Sequence, residues 1–164
     1  MEYDIIDLLF VEHKNHLDSI DTLETLFKTA RESLNLKALD MFERKIKEVC
    51  LELDLHFKKE EEGLFIFLYE KTQDRDGLIK SLIVEHRQIK DLCKDILSLV
   101  EEIKQNNNKW LELRNSLNSL LHQINDHVLK ENMPLLKIAS QELDKETLIK
   151  GYYIAEDIEK KFFS

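Results

Sequence analysis

Apolar residues recur at helical spacing in four long segments of this chain, roughly residues 4–31, 36–71, 77–105 and 109–140, with only short polar breaks between them. That pattern leaves little choice of fold. The breaks are Ser33-Leu34-Asn35, the run from Thr72 to Gly77, and Asn106-Asn107-Asn108, whose Asn, Asp and Gly residues favour turns and helix caps. Connections this short make successive helices antiparallel neighbours, so the expectation is an all-α, up-down-up-down four-helix bundle. Three Gly and one Pro in 164 residues leave almost no irregular linker, and the length suits one domain around a single core. A shorter amphipathic segment, about residues 144–162, carries Leu148, Tyr152, Ala155 and Ile158. It is expected as a short extra C-terminal helix across one end of the bundle, with nothing chemical in it.

The two halves of the chain repeat. Val11-Glu12-His13 matches Val84-Glu85-His86, and the helix after each matches too, His56 and Glu60 pairing with His127 and Glu131. Gly63-Leu64-Phe65 then falls opposite Pro134-Leu135-Leu136. Each half is thus a helical hairpin with one His on its first helix and a His-x-x-x-Glu pair on its second.

Residues four apart share a helix face, so His56 points with Glu60 and His127 with Glu131. On the second helix the pair interrupts a stripe of Phe42, Ile46, Val49, Leu53, Leu64 and Phe67; on the fourth it interrupts Leu113, Leu117, Leu120, Ile124 and Ile138. His13 sits among Ile6, Leu9, Leu17, Ile20 and Phe27, and His86 among Ile79, Leu82, Ile83, Cys93, Ile96 and Val100. All four therefore face the core. Burying two carboxylates and four imidazoles without partners would cost several kcal/mol per ionised group, a large part of a domain's net stability. A pair of metal ions supplies the compensation, and imidazole with carboxylate suits iron or manganese better than a structural zinc site. His122, about 140° round the helix from His127, should face outward. His16 lies near the inward stripe, and whether it is a fifth imidazole ligand stays open. The Glu61-Glu62 extension reads as a solvated face.

Composition removes other classes of function. A formal charge of -9 argues against nucleic acid and against a membrane surface, both of which need clustered Lys and Arg. The N-terminus carries acids where a secretory signal needs basic residues, and no apolar run approaches a spanning helix, so a cytoplasmic location is expected. Cys50 and Cys93 are far apart in the sequence and too few for a disulfide scaffold. Reduced, buried thiols are the expectation, with Cys93 serving as packing.

These residues resemble the hemerythrin-like, or HHE cation-binding, family, whose domain carries the repeated His and His-x-x-x-Glu pattern. The resemblance extends over the whole chain, including the C-terminal segment, as a single domain of residues 1–164. It implies His13, His56, Glu60, His86, His127 and Glu131 as metal ligands. It also implies two iron ions with an oxo or hydroxo bridge, Glu60 and Glu131 bridging them, and manganese or zinc as substitutes. Oxygen-carrying hemerythrins have a second His one turn after the third-helix ligand, where this chain has Lys90, and Asp where it has Glu131. The missing ligand implies a more open iron, with the Lys90 ammonium turned away to solvent or to Glu60, Glu61 or Asp91. The chain also resembles the hemerythrin-like part of repair-of-iron-centres proteins. The implied function is binding of a small diatomic or peroxide ligand, such as oxygen or nitric oxide, for storage or sensing, in an apolar pocket lined by Leu9, Phe65, Phe67 or Leu82. The alternative is a di-iron enzyme consuming peroxide or nitric oxide, or an iron donor for cluster repair.

Overall fold

A computed structural model describes residues 2–164, and helices account for nearly all of them. Helix α1 (Ile5–Ser33) starts at a capping box in which Asp4 accepts from the Ile6 and Asp7 amides, and it stops where Leu34 turns left-handed. Helix α2 (Leu36–Glu60) is capped by Asn35 and runs through a π-helical turn (Glu61–Phe65) into α3 (Ile66–Thr72). Helix α4 (Leu78–Lys104) follows Gly77, and Asp74 caps its first turn from the loop by accepting from the Ile79 and Lys80 amides. Helix α5 (Trp110–Lys130) runs through a second π turn (Glu131–Leu135) into α6 (Leu136–Glu142), and α7 (Lys145–Phe162) follows. The polar breaks of the sequence are where the chain turns. No strand occurs among the described residues, and none of their helices is long and apolar enough to cross a membrane.

The long helices form a bundle in which α1 packs on α2 and α5, and α4 on α2 and α5. Two apolar clusters fill its interior. One runs from Phe27, Leu39 and Leu113 up to Leu53, Ile89 and Val128; the other gathers Ile5, Leu9, Leu64, Leu82, Leu135 and Leu148. The inward His and Glu residues lie between them.

Both π turns were hidden from a reading at 3.6 residues per turn. A π turn spends an extra residue, so every side chain beyond it moves round the helix. Phe67 and Ile138, expected inward, are only partly buried, whereas Leu68 and Ala139 are buried. The signals were Gly63 and Pro134, at matching places in the repeat. Pro134 lacks the amide that an α-helix would bond four residues back, and the wider turn relieves its ring. At the end of that turn the Leu136 N–H donates to the Glu131 carbonyl, five residues back. Gly63 serves a different contact, because a Cβ there would lie 3.0 Å from the Gly151 carbonyl oxygen, and one on Gly151 would lie 2.3 Å from that of Gly63. Helix α7 thus crosses the first π turn backbone on backbone.

The cysteines depart from the expectation. Cys50 on α2 and Cys93 on α4 form a disulfide, with their Cα atoms 6.0 Å apart. Sequence distance misled here, since α2 and α4 are bundle neighbours and these positions face each other.

Candidate metal centre

Four helices deliver the six donors. His13 comes from α1, His56 and Glu60 from the end of α2, His86 from α4, His127 from α5, and Glu131 from the start of the second π turn. All six are buried, and both carboxylates are fully enclosed. Their donor atoms form two overlapping groups, His13, His56, Glu60 and Glu131 on one side and Glu60, His86, His127 and Glu131 on the other. Both carboxylates are shared. Glu60 Oε1 lies 2.8 Å from His56 Nε2 and 3.2 Å from His13 Nε2, while its Oε2 lies 3.1 Å from His86 Nε2. Glu131 Oε2 lies 2.8 Å from His13 Nε2, and Oε1 lies 2.9 Å from His127 Nε2.

The other ring nitrogens face outward, each to its own acceptor. His56 Nδ1 meets Glu12 at 2.8 Å, His127 Nδ1 meets Glu85 at 2.8 Å, His86 Nδ1 meets Glu61 at 2.7 Å, and His13 Nδ1 meets the Asn132 side-chain oxygen at 2.6 Å. Such partners fix tautomer and ring orientation. A ring that donates from Nδ1 turns the lone pair of Nε2 inward. The interior is then lined by acceptors alone. His86 Nε2 and His127 Nε2 sit 3.1 Å apart, and His56 Nε2, Glu60 Oε2 and both Glu131 oxygens lack a directed hydrogen bond. Only positive charge satisfies that arrangement.

Protons are one source of it. Burial alone would lower the His13 pKa, but Glu131 and Glu60 raise it to about 10; against the same burial, Glu60 and Glu12 raise His56 to about 9, and Glu131, Glu60 and Glu61 raise His86 to about 11. Metal cations are the other, because the donor types and the shared carboxylates fit two adjacent cations.

The repeat contained more of this than the donors alone. Glu12 and Glu85 are the middle residues of the two Val-Glu-His motifs, and each reaches across to the His of the following helix. Lys59 and Lys130, also repeat mates, bind those carboxylates from outside. Burial would raise the Glu12 pKa, but His56 and Lys59 hold it at about 2. Glu61 is not simply solvated, since it accepts from His86.

Symmetry is incomplete around the centre. Asn132 stands where the other half has Glu61. His16, whose repeat mate is Ile89, is buried with neither ring nitrogen partnered. It lies edge-on to His56 at 4.6 Å between ring centroids and is outside both donor groups. Lys59 is 1% exposed, because α7 covers it and Glu159 binds it at 3.1 Å, whereas Lys130 is open to solvent. The segment after Asp144 thus does reach the chemistry, contrary to expectation. Phe57 stacks on the His86 ring at 3.9 Å. Lys90 turns away, pairing with Asp54 at 2.6 Å rather than with Glu60, Glu61 or Asp91. His122 is exposed beside Asp126. Leu9, Phe65 and Leu82 are packed core, not an open pocket. Phe65 also edges a groove of about 350 Å³ shared with Glu61, Ile66, Tyr69, Ile79 and Ile83, which approaches His86 from solvent.

One family model, the hemerythrin HHE cation binding domain, matches residues 4–139. The match ends before α7, so the likeness is narrower than the whole chain. No curated protein and no solved structure matches the sequence.

Proposed function

Because this chain belongs to the hemerythrin HHE cation-binding family, we propose that it is a di-iron protein that binds oxygen, nitric oxide or a related small species for storage or sensing. In this reading residues 1–164 form one domain whose four long helices alternate up and down. His13 and His56 would hold one ion and His86 and His127 the other, with Glu60 and Glu131 available to both. The observation that carries the reading is the acceptor-only interior with every outer ring nitrogen already engaged.

Charge supports two ions. Glu60, Glu131, Glu12, Glu61, Glu85 and Glu159 are six carboxylates against the two ammonium groups of Lys59 and Lys130, which leaves four negative charges around the centre. Two divalent cations would balance that charge. Bound iron would supply a change of oxidation state and an exchangeable coordination position. The protein's own part is to hold the imidazoles rigid from outside and to keep water out with Phe57, Phe65 and Leu82. The groove beside Phe65 and Glu61 brings a small molecule to two residues that contact His86.

Metal analysis of protein made aerobically with iron available should find two metal ions per chain, mostly iron. The optical spectrum of the reduced protein should change on exposure to oxygen, with slow peroxide consumption. About one zinc per chain and no iron would overturn the reading, and rapid catalytic loss of peroxide would replace binding by turnover.

A further inference from the structure

We propose that Cys50 and Cys93 form a thiol–disulfide exchange site that takes small anionic thiols from the groove between α2 and α4. The two sulfurs meet across neighbouring helices, and the 6.0 Å between their Cα atoms suits closure without moving either backbone. The pair borders solvent on the Cys50 side. A groove of about 430 Å³ is lined by both cysteines together with Lys47, Asp54, Lys90 and Lys94. Three lysines against one aspartate make this groove positive on a chain whose formal charge is -9. Lys47 and Lys90 are engaged by Glu43 and Asp54, and Lys94 has no ion-pair partner among the described residues. A carboxylate-bearing thiol therefore finds a local attraction beside the two sulfurs, on a chain that is acidic as a whole.

The two sulfurs are unequal. Cys93 is 6% exposed and belongs to the apolar cluster with Ile89 and Ile96, whereas Cys50 is only half-buried. An incoming thiolate attacks the Cys50 sulfur, the protein S–S bond breaks, and Cys93 leaves with the electron pair and takes a proton from solvent. A second thiolate then attacks the small-molecule sulfur of the mixed disulfide, releasing Cys50 as a thiolate, which is protonated, and a small-molecule disulfide. Two small thiols are oxidised and one protein disulfide is reduced, and the reverse sequence closes the pair again. Cys50 precedes His56 by six residues on α2, and Cys93 follows His86 by seven on α4. At 1.5 Å per residue the exchange site lies about 10 Å from the metal-binding donors on both helices.

Equilibrate the full chain with mixtures of reduced and oxidised glutathione, quench with acid, alkylate, and weigh the products. The expected result is a two-electron transition between dithiol and disulfide, with Cys93→Ser trapping glutathione on Cys50 and Cys50→Ser yielding little adduct on Cys93. Lys94→Glu should slow exchange with glutathione about tenfold, the low end of electrostatic steering, while leaving exchange with neutral 2-mercaptoethanol unchanged. The proposal is overturned if the wild-type pair never closes in oxidised buffer, never opens in reduced buffer, or takes glutathione equally on both cysteines. Equal slowing of both thiols by Lys94→Glu would overturn the preference for anions.

Discussion

His13, His56, His86 and His127 differ from the other two histidines by what surrounds each ring, and substitution should separate them. His56→Ala or Glu131→Ala removes a converging donor and leaves its neighbours unpaired, at a cost of about 3–5 kcal/mol. Metal content should fall with thermal stability in both. His122→Ala should change neither, and iron loss there as large as in His56→Ala would mean that the face of α5 is misread. Glu12→Gln tests the outer partners, because it keeps an acceptor for His56 while removing a charge. Metal affinity should drop about tenfold with the fold intact, and an unchanged affinity would reduce Glu12 to packing. His16 behaves oppositely to the donors. Burial, then His56 beside it, lowers its pKa to about 3. Protons therefore favour the unfolded chain below the ordinary His value near 6.5, and stability is lost as pH falls from there. His16→Leu should lessen that acid sensitivity without lowering metal content; a loss of metal would make it a ligand. That these six residues face the core together is legible in the sequence, because helical spacing sets them among apolar positions. Their outer partners are not, since Glu12 and His56 meet only through tertiary packing.

At the scale of elements, periodicity locates the four long segments and their breaks, and it fails where the helix itself changes pitch. The repeat of Gly63 and Pro134 marks that change, but either residue in a helix also reads as a simple weak point. Deletion tests the difference. Removing Pro134 shortens a turn that already holds one residue too many, so helix content should survive while metal affinity falls as Glu131 loses its presentation. Removing Ile124 shifts the register of everything after it in the core and should prevent cooperative unfolding altogether. Equal damage from the two deletions, read by circular dichroism and thermal melts, would deny the π turn this role. Gly151→Ala forces α7 off the first π turn, with an expected loss of about 1–3 kcal/mol from overpacking. The disulfide lies beyond any such reading, because separation along the chain carries no information about two facing helices.

The whole molecule is a charged centre held between two apolar clusters, and its pH dependence follows from what fills the centre. In the metal-free protein the His13, His56 and His86 pKa values are raised to about 10, 9 and 11. Their stabilising contribution is complete below the ordinary His value and is lost as pH rises through 9 to 11. Bound metal replaces those protons, so melting temperatures of loaded and metal-free protein should diverge between pH 7 and 10; parallel curves would mean that metal sits elsewhere. Glu12, at about 2, adds stability that is present above its ordinary value near 4.5 and is lost as pH falls toward 2. The unequal outer acceptors, Glu61 on His86 but the neutral Asn132 on His13, have one further consequence. A carboxylate makes its imidazole the stronger donor, so the two donor groups of the repeat should differ in affinity for a cation. Filling should be stepwise. Cobalt added to metal-free protein should enter the His86 and His127 side first, giving a break at one equivalent before the second; Glu61→Gln should merge the steps, and a single smooth saturation in the wild type would show that the halves still act as twins.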